Sequence, residues 1–241
     1  MIPIRDDNPT TIRPIVTIGL IAFCAIVFLW QIGQPAEQQE QVFYRLGLIP
    51  AVLFGHAELP PELVTVSPSM TVLTSMFLHG GLLHLGGNML YLWIFGNNVE
   101  DAMGHGRFVA FYLLCGIAAA LTQGMLNPES VVPMVGASGA IGGVLGAYLL
   151  LHPKATIWIV VPIFFYLHVM RVPAFVMLGL WFLMQFLSTA ATAGADGGGV
   201  AYGAHVGGFV AGMLLIPFFR NANVPLWDRG RQPGYRRGPW G

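Results

Sequence analysis

The stretch GGGVAYGAHVGGFVAGMLLIPFF, residues 197–219, indicates the class of protein, because it holds no charged side chain over 23 residues. A helix needs about 20 residues to cross about 30 Å of hydrocarbon, and a charge near the bilayer centre is costly. Five more uncharged runs are long enough to span: 14–36, 63–99, 108–128, 130–153 and 172–195. The sequence therefore predicts a polytopic membrane protein.

The composition agrees with that prediction. Of the 241 residues, 55% are hydrophobic and 9% are charged, whereas soluble domains carry about 25% charged residues. These values exclude an ordinary soluble enzyme and a disordered chain. The net charge of zero gives no sign of nucleic-acid binding, and two cysteines cannot build a disulfide scaffold.

The positive-inside rule sets the number of spans and their direction. The run 155–170 is short and contains Pro162, so it is expected at the membrane interface. With six spans and a cytoplasmic N-terminus, only Arg45 of the eleven cations lies outside; a seventh span would put seven cations outside. The predicted fold is therefore an all-α bundle of six transmembrane helices with both termini cytoplasmic. The spans are 14–33, 82–102, 107–126, 137–152, 173–191 and 200–219.

This topology divides the chain into three parts. Residues 1–13 form a cytoplasmic tail, 14–219 the membrane domain, and 220–241 a Pro/Gly/Arg-rich cytoplasmic tail that we expect to be disordered. The long external segment 34–81 is apolar but interrupted, which favours helices lying in the interface. The turn with Glu100, Asp101 and Arg107 reads as a solvated charged turn, with a local ion pair as the alternative.

The first polar cluster within the spans is HGGLLHLGGNM, residues 79–89. His84 and Asn88 are four residues apart and share one helix face. His79 precedes the helix. As a metal site the cluster is weak, because no carboxylate or cysteine joins it. Two interpretations stay open, hydrogen bonding between helices and a catalytic or oxyanion-binding role.

The second cluster, GASG at 136–139, opens the fourth span. A serine in a glycine-rich helix is often only a packing residue. Ser138, however, lies in the first helical turn, where free backbone N–H groups and the positive end of the helix dipole could hold an oxyanion.

The third cluster is AHVGGFVAG, residues 204–212, in the sixth span. Gly208 and Gly212 form a ridge of small residues that permits close helix approach, and His205 lies one turn earlier. His205 alone would be a packing or capping residue. Opposite a bare helix that carries a serine, it is suited to be the base of that serine.

Asn88, Ser138 and His205 are expected at a common depth. Each lies 15–19 residues from the charge at the predicted cytoplasmic end of its span, which is roughly 22–28 Å along a helix. No carboxylate within a span is available to orient the histidine, so the predicted chemistry is acyl transfer by a Ser–His dyad. Ser138 N–H, the Asn88 amide and the His84 ring are the candidate oxyanion donors.

The three clusters, in this order on spans two, four and six, resemble the rhomboid family of intramembrane serine proteases over about residues 70–215. The resemblance implies that Ser138 is the nucleophile and His205 the general base. It further implies that His84 and Asn88 line the oxyanion hole and that His79 supports the first external loop. Gly136, Gly139 and Gly208 are expected to support the site. The chain departs from many members in lacking a Trp-Arg pair in 34–78 and in carrying Ala102 two residues after Glu100.

The resemblance also implies single-span membrane proteins as substrates, cut near the outer face without metal or cofactor and with no nucleic-acid partner. The plasma membrane is the expected location. An inactive relative that binds membrane clients is the main alternative, although it would typically lack the serine or the histidine. A transporter or channel is more distant, since no internal repeat is found.

Overall fold

The computed structural model describes residues 1–192 and 200–227, and helices dominate them. The α-helices of this part are α1 (Ile15–Ile32), α2 (Ala36–Leu46), α3 (Pro50–Leu53), α4 (Pro68–Thr74), α5 (Leu82–Met103), α6 (His105–Leu126), α7 (Ser138–Leu151), α8 (Ala174–Thr192) and α9 (Tyr202–Phe219). Short 3₁₀ turns cover Pro61–Leu63 and Ser75–Phe77, and three strands are β1 (Ile2–Asp6), β2 (Thr156–Ile163) and β3 (Tyr166–Pro173).

Four helices, α1, α6, α8 and α9, are long and apolar enough to cross a membrane, so the chain is a multi-pass membrane protein. Helix α7 is equally apolar but has only 14 residues, and α5 carries two acidic residues in its last turn. These six helices begin and end within two residues of the six predicted spans. The count of six membrane crossings stays a prediction.

Helix α7 is the centre of the bundle, buried along most of its length and packed against α5, α6 and α9. Small residues permit this arrangement. A methyl group at Gly208 of α9 would overlap the carbonyl oxygen of Gly139 in α7 and lie 2.9 Å from its carbonyl carbon. Gly212 and Gly143 repeat the same backbone contact one turn further on. Glycine at these positions therefore sets the distance between α7 and α9.

A three-stranded antiparallel sheet corrects the expectation of an all-α domain. The run 155–170, expected to lie at the interface, forms most of a β-hairpin made of β2 and β3, with β1 beside β2. Its turn is tight, with Phe164 at a φ of 52°. Ile157 and Ile159 are buried and alternate with half-buried neighbours. This two-residue alternation of β-branched residues favours a strand, a signal that the absence of charge alone does not reveal.

The N-terminal segment 1–13, predicted as a tail before the first span, is ordered by strand β1 and by a polar cluster that joins it to the helices. Asp6 Oδ2 accepts hydrogen bonds from Tyr148 Oη at 2.6 Å and from Asn98 Nδ2 at 2.9 Å. Burial raises the pKa of Asp6 to about 7. The segment is thus attached to the ends of α5 and α7 that lie furthest from Ser138.

The turn after α5 is not the solvated charged turn that the sequence suggests. Glu100 is fully buried, and its carboxylate accepts hydrogen bonds from the backbone N–H groups of Val16 and Thr17 and from the Thr17 hydroxyl, at 2.7–2.9 Å. A carboxylate here satisfies N–H groups that the first turn of α1 leaves without partners. Arg107 pairs with neither acid and reaches Asn221 instead. Glu100 therefore joins the start of α1 to the end of α5.

The first residues of the C-terminal tail also pack against the helices. The Asn221 N–H donates to the Ala102 carbonyl at 2.8 Å, and the Trp227 N–H donates to Leu150 at 2.6 Å. The predicted disorder of 220–241 therefore fails for 220–227, while 228–241 lie outside the described residues. The segment 34–81 holds α2, α3, α4 and the 3₁₀ turns, and its position in the membrane interface stays a prediction.

Candidate active site

The start of α7 positions Ser138. Gly136 has a φ of +130°, which favours glycine, and a Cβ there would lie 2.8 Å from His84 Nε2. The Gly136 N–H donates to the Ser75 carbonyl at 2.9 Å, and this bond fixes the approach to the helix. The first hydrogen bond of the helix runs from the Ile141 N–H to the Ala137 carbonyl. The Ser138 N–H has no acceptor within the helix and is available to a ligand.

Ser138 and His205 are in direct contact. His205 Nε2 lies 2.8 Å from Ser138 Oγ, within hydrogen-bond distance. The two residues belong to α7 and α9, and the glycine contacts between these helices bring them together. A serine hydroxyl bonded to an imidazole nitrogen is the arrangement needed for a nucleophile with its general base.

Two residues of α8 also contact His205, and the sequence analysis did not single them out. Gln185 Oε1 lies 2.7 Å from His205 Nδ1, and the Trp181 ring lies 5.8 Å from the imidazole at an interplanar angle of 31°. The sequence signal for these contacts is the amide of Gln185, four residues after Trp181 in an otherwise apolar helix. A polar side chain in a membrane span needs a partner, and this amide has the histidine.

Asn88 lies in α5 with its side chain buried and facing the same space. Its Nδ2 is buried and has no hydrogen-bond partner among the described residues. Buried amide donors are normally satisfied, so an unpaired one that faces the same cavity as Ser138 is ready to bind an acceptor. An oxyanion would supply that acceptor.

His84 lies one turn before Asn88 in the same helix. The Gly80 N–H points to His84 Nδ1 at 3.2 Å, which makes Nδ1 the acceptor. In the neutral ring the proton is then on Nε2, the nitrogen that lies beside Gly136. His84 can therefore offer a second donor on the same side as Asn88.

His79 is buried behind this pair. Its ring meets the His84 ring edge-on at 5.3 Å, and both of its ring nitrogens are buried without a hydrogen bond in the described part of the chain. Its backbone is held by Gln31 of α1, through an N–H to Oε1 bond of 3.1 Å and an Nε2 to carbonyl bond of 3.2 Å. The contacts of His79 thus link α1 to the start of α5 and back the His84 ring.

The site contains one cavity of about 930 Å³. Its walls include residues from α5, α6, α7, α8 and α9 and the segment before α7. His84, Asn88, Ser138 and His205 all reach it, as do Trp181 and Tyr202. No group of three or more metal-binding side chains occurs in residues 1–192 and 200–227. A serine hydroxyl, an imidazole and buried hydrogen-bond donors therefore meet in one cavity.

Comparison with known proteins matches residues 68–222 to the model of the Rhomboid domain. The chain is 34% identical over 155 residues to "Rhomboid protein 1, mitochondrial" of Saccharomyces cerevisiae, covering 62% of this chain and 41% of the yeast protein. It is 41% identical over 98 residues to "Rhomboid protease GluP" of Bacillus subtilis, covering 41% of this chain and 18% of that protein. It is 26% identical over 254 aligned residues to the human "Presenilin-associated rhomboid-like protein, mitochondrial", covering 97% of this chain and 56% of the human protein.

The chain thus spans between about a fifth and just over half of the length of these relatives. Two of their names place the proteins in mitochondria. The relatives therefore do not support the plasma membrane as the location of this chain.

Proposed function

Because the chain belongs to the rhomboid family, we propose that it is an intramembrane serine endopeptidase in which Ser138 is the nucleophile and His205 the general base. The observation that carries the proposal is the 2.8 Å contact between Ser138 Oγ and His205 Nε2 at the wall of a cavity inside a helical membrane domain. The relative from Bacillus subtilis, which carries the word protease in its name, adds support.

The proposed reaction follows from the positions of the donors and acceptors. Ser138 Oγ attacks the carbonyl carbon of the scissile peptide bond while His205 Nε2 takes its proton. The resulting imidazolium returns that proton to the leaving amine, which departs and leaves an acyl-enzyme. Water then attacks the acyl carbon, His205 takes a proton from it, and Ser138 is regenerated with release of the new carboxyl terminus.

The tetrahedral intermediate carries a negative charge that needs donors. We assign Asn88 Nδ2, His84 Nε2 and the Ser138 N–H to this role. The unpaired state of the buried Asn88 amide supports the assignment, because the donor is already desolvated and needs no rearrangement. One such donor is worth about 3–4 kcal/mol of transition-state stabilisation.

The proposed substrates are single-span membrane proteins, cleaved near the outer face. Ser138 lies at the start of α7, and the N-terminal sheet lies at the far end of the same helix. The proposed six spans place the sheet and both termini in the cytoplasm and the cavity in the outer part of the bilayer, in line with the distribution of cations. Gly136, Gly139 and Gly208 support the site by permitting the close backbone approach around Ser138.

An inactive client-binding relative is less well supported, because such a protein needs neither the serine nor its bond to the histidine. A cleavage assay separates the two functions. The full chain is reconstituted in liposomes with a panel of tagged single-span proteins, beside a Ser138→Ala variant. Products that appear only with the unchanged chain support the protease. Binding of the panel proteins without any Ser138-dependent product would refute it.

A further inference from the structure

We propose that Gln185 is a positioning residue that fixes the tautomer and orientation of His205, so that the site works as a Ser–His–Gln relay. This inference rests on the proposed function, because it assigns Gln185 a part in the same reaction. Its basis is the 2.7 Å contact between Gln185 Oε1 and His205 Nδ1.

The contact with Gln185 determines which nitrogen of the His205 ring carries the proton. A neutral histidine carries one N–H, and the other nitrogen has the lone pair. An amide oxygen can only accept, so the proton next to Gln185 is on Nδ1. Nε2 then presents its lone pair to the Ser138 hydroxyl at 2.8 Å. With the opposite tautomer Nε2 would hold the proton and could not act as a base.

The position of Gln185 matches this role. Gln185 is 9% exposed, although it belongs to a helix whose apolar residues are largely exposed. Trp181 lies one turn earlier, and its ring packs against the same imidazole. The face of α8 that carries both residues therefore contacts His205 twice, through the Trp181 ring and through Gln185 Oε1 at Nδ1. An amide buried in a membrane helix is costly unless it is bonded, and the histidine satisfies it.

A neutral acceptor suits this depth better than a carboxylate. When His205 takes the serine proton, the ring becomes a cation and the Nδ1–H bond to Oε1 becomes charge-assisted. An aspartate would stabilise that cation more strongly, but it would also place a charge inside the bilayer. Gln185 thus gives orientation and part of the stabilisation without burying a charge.

The test measures how fast a rhodamine-tagged fluorophosphonate labels Ser138 in the full, detergent-solubilised chain between pH 5 and pH 9. The serine oxygen displaces fluoride from phosphorus and its proton goes to His205, so the rate reports the activated nucleophile directly. Gln185→Met removes the acceptor at similar volume, and Gln185→Glu keeps an acceptor and adds a charge. Thr189→Val, one turn along α8, is the control, because its hydroxyl donates to the backbone carbonyl of Gln185 and the substitution leaves the Gln185 side chain unchanged.

We expect Gln185→Met to lower the maximal labelling rate about 10–100-fold with an unchanged half-saturating probe concentration. Gln185→Glu should keep a rate within about threefold of the unchanged chain at high pH. Its acid limb should move to higher pH by about one unit, because a carboxylate stabilises the protonated imidazole. Thr189→Val should match the unchanged chain in rate and profile.

The outcomes separate the two proposals. If the unchanged chain shows no labelling that depends on Ser138, the proposed function fails and this inference fails with it. If labelling depends on Ser138 but Gln185→Met keeps the full rate and the same pH profile, only the role of Gln185 is refuted. If Gln185→Met does not fold, the pH profile of Gln185→Glu decides, and an unshifted acid limb refutes the role.

Discussion

Substituting Gly208 by alanine tests whether the helix contact sets the geometry of the proposed dyad. The added methyl would overlap the Gly139 carbonyl oxygen and lie 2.9 Å from the carbonyl carbon, whereas carbon atoms pack at about 3.5–4.0 Å. Relief of the carbon contact alone requires α7 and α9 to separate by about 0.6–1.1 Å, and relief of the overlap with the oxygen requires more. The 2.8 Å distance from Ser138 Oγ to His205 Nε2 would then become at least about 3.4–3.9 Å, outside hydrogen-bond range.

A displacement of about 1 Å can cost about 100-fold in rate, so we expect Gly208→Ala to lose at least that much cleavage activity. The stability cost is smaller. Overpacking costs about 1–3 kcal/mol, and replacing glycine by alanine in a helix returns about 1 kcal/mol. The protein should therefore still insert and unfold cooperatively at a moderately lower temperature.

The assay compares cleavage rates, membrane insertion and melting temperature in detergent for Gly208→Ala and Gly179→Ala. Gly179 is the matched control, because it lies within α8 and has open space around its Cβ position. It should keep full activity. A Gly208→Ala protein that cleaves at the unchanged rate would show that the α7–α9 contact does not set the distance between serine and histidine.

Three other outcomes are expected. Asn88→Ala should lower kcat by about 100-fold with little change in KM, because the donor acts on the transition state; an unchanged kcat would remove Asn88 from the oxyanion site. The pKa of Asp6 is about 7 in the folded protein against 3.8 ordinarily, so the folded state holds this proton to higher pH, and stability is lost as pH rises from about 4 through 7. We expect the free energy of unfolding to fall by about 1–3 kcal/mol, a value discounted for the partial exposure of Asp6, and the melting temperature to fall between pH 5 and pH 8. Asp6→Asn should flatten this pH dependence, and equal slopes for the two proteins would contradict the assignment. Reporter tags on the two termini should report one side of the membrane and a tag in 34–81 the other; termini on opposite sides would contradict six spans.

The helices that carry the site follow closely from the sequence. An uncharged run of about 20 residues leaves the chain few alternatives to a helix in a membrane, because every backbone polar group must be satisfied internally. Glycines at four-residue spacing likewise predict close helix contact, and Gly208 and Gly212 make such contacts with α7. The contact of Ser138 with His205 follows from these two features.

The sheet does not follow from the same reasoning. The run 155–170 is apolar like a span, and only the alternation around Ile157 and Ile159 indicates a strand. The pairing of β2 with β1 joins residues that are about 150 positions apart in the chain. A long-range pairing of this kind has no local signal in a single sequence.

The sequence also does not predict the hydrogen-bond partners of polar side chains when those partners are distant in the chain. Glu100 reads as a surface charge until Val16 and Thr17 are seen to donate to it. Gln185 reads as an isolated amide until α8 packs against α9 and brings it to His205. In both cases the partner is set by tertiary packing, which composition and spacing do not specify.

Ser138 and His205 are proposed to act as one catalytic unit, and a double-mutant cycle tests that directly. Cleavage of a single-span substrate is measured for Ser138→Ala, His205→Ala and the double variant in the same liposomes. Groups that act together lose activity non-additively, so all three variants should be inactive to about the same extent. A double variant that is far less active than either single variant would mean that the two residues contribute independently, and it would contradict the proposed dyad.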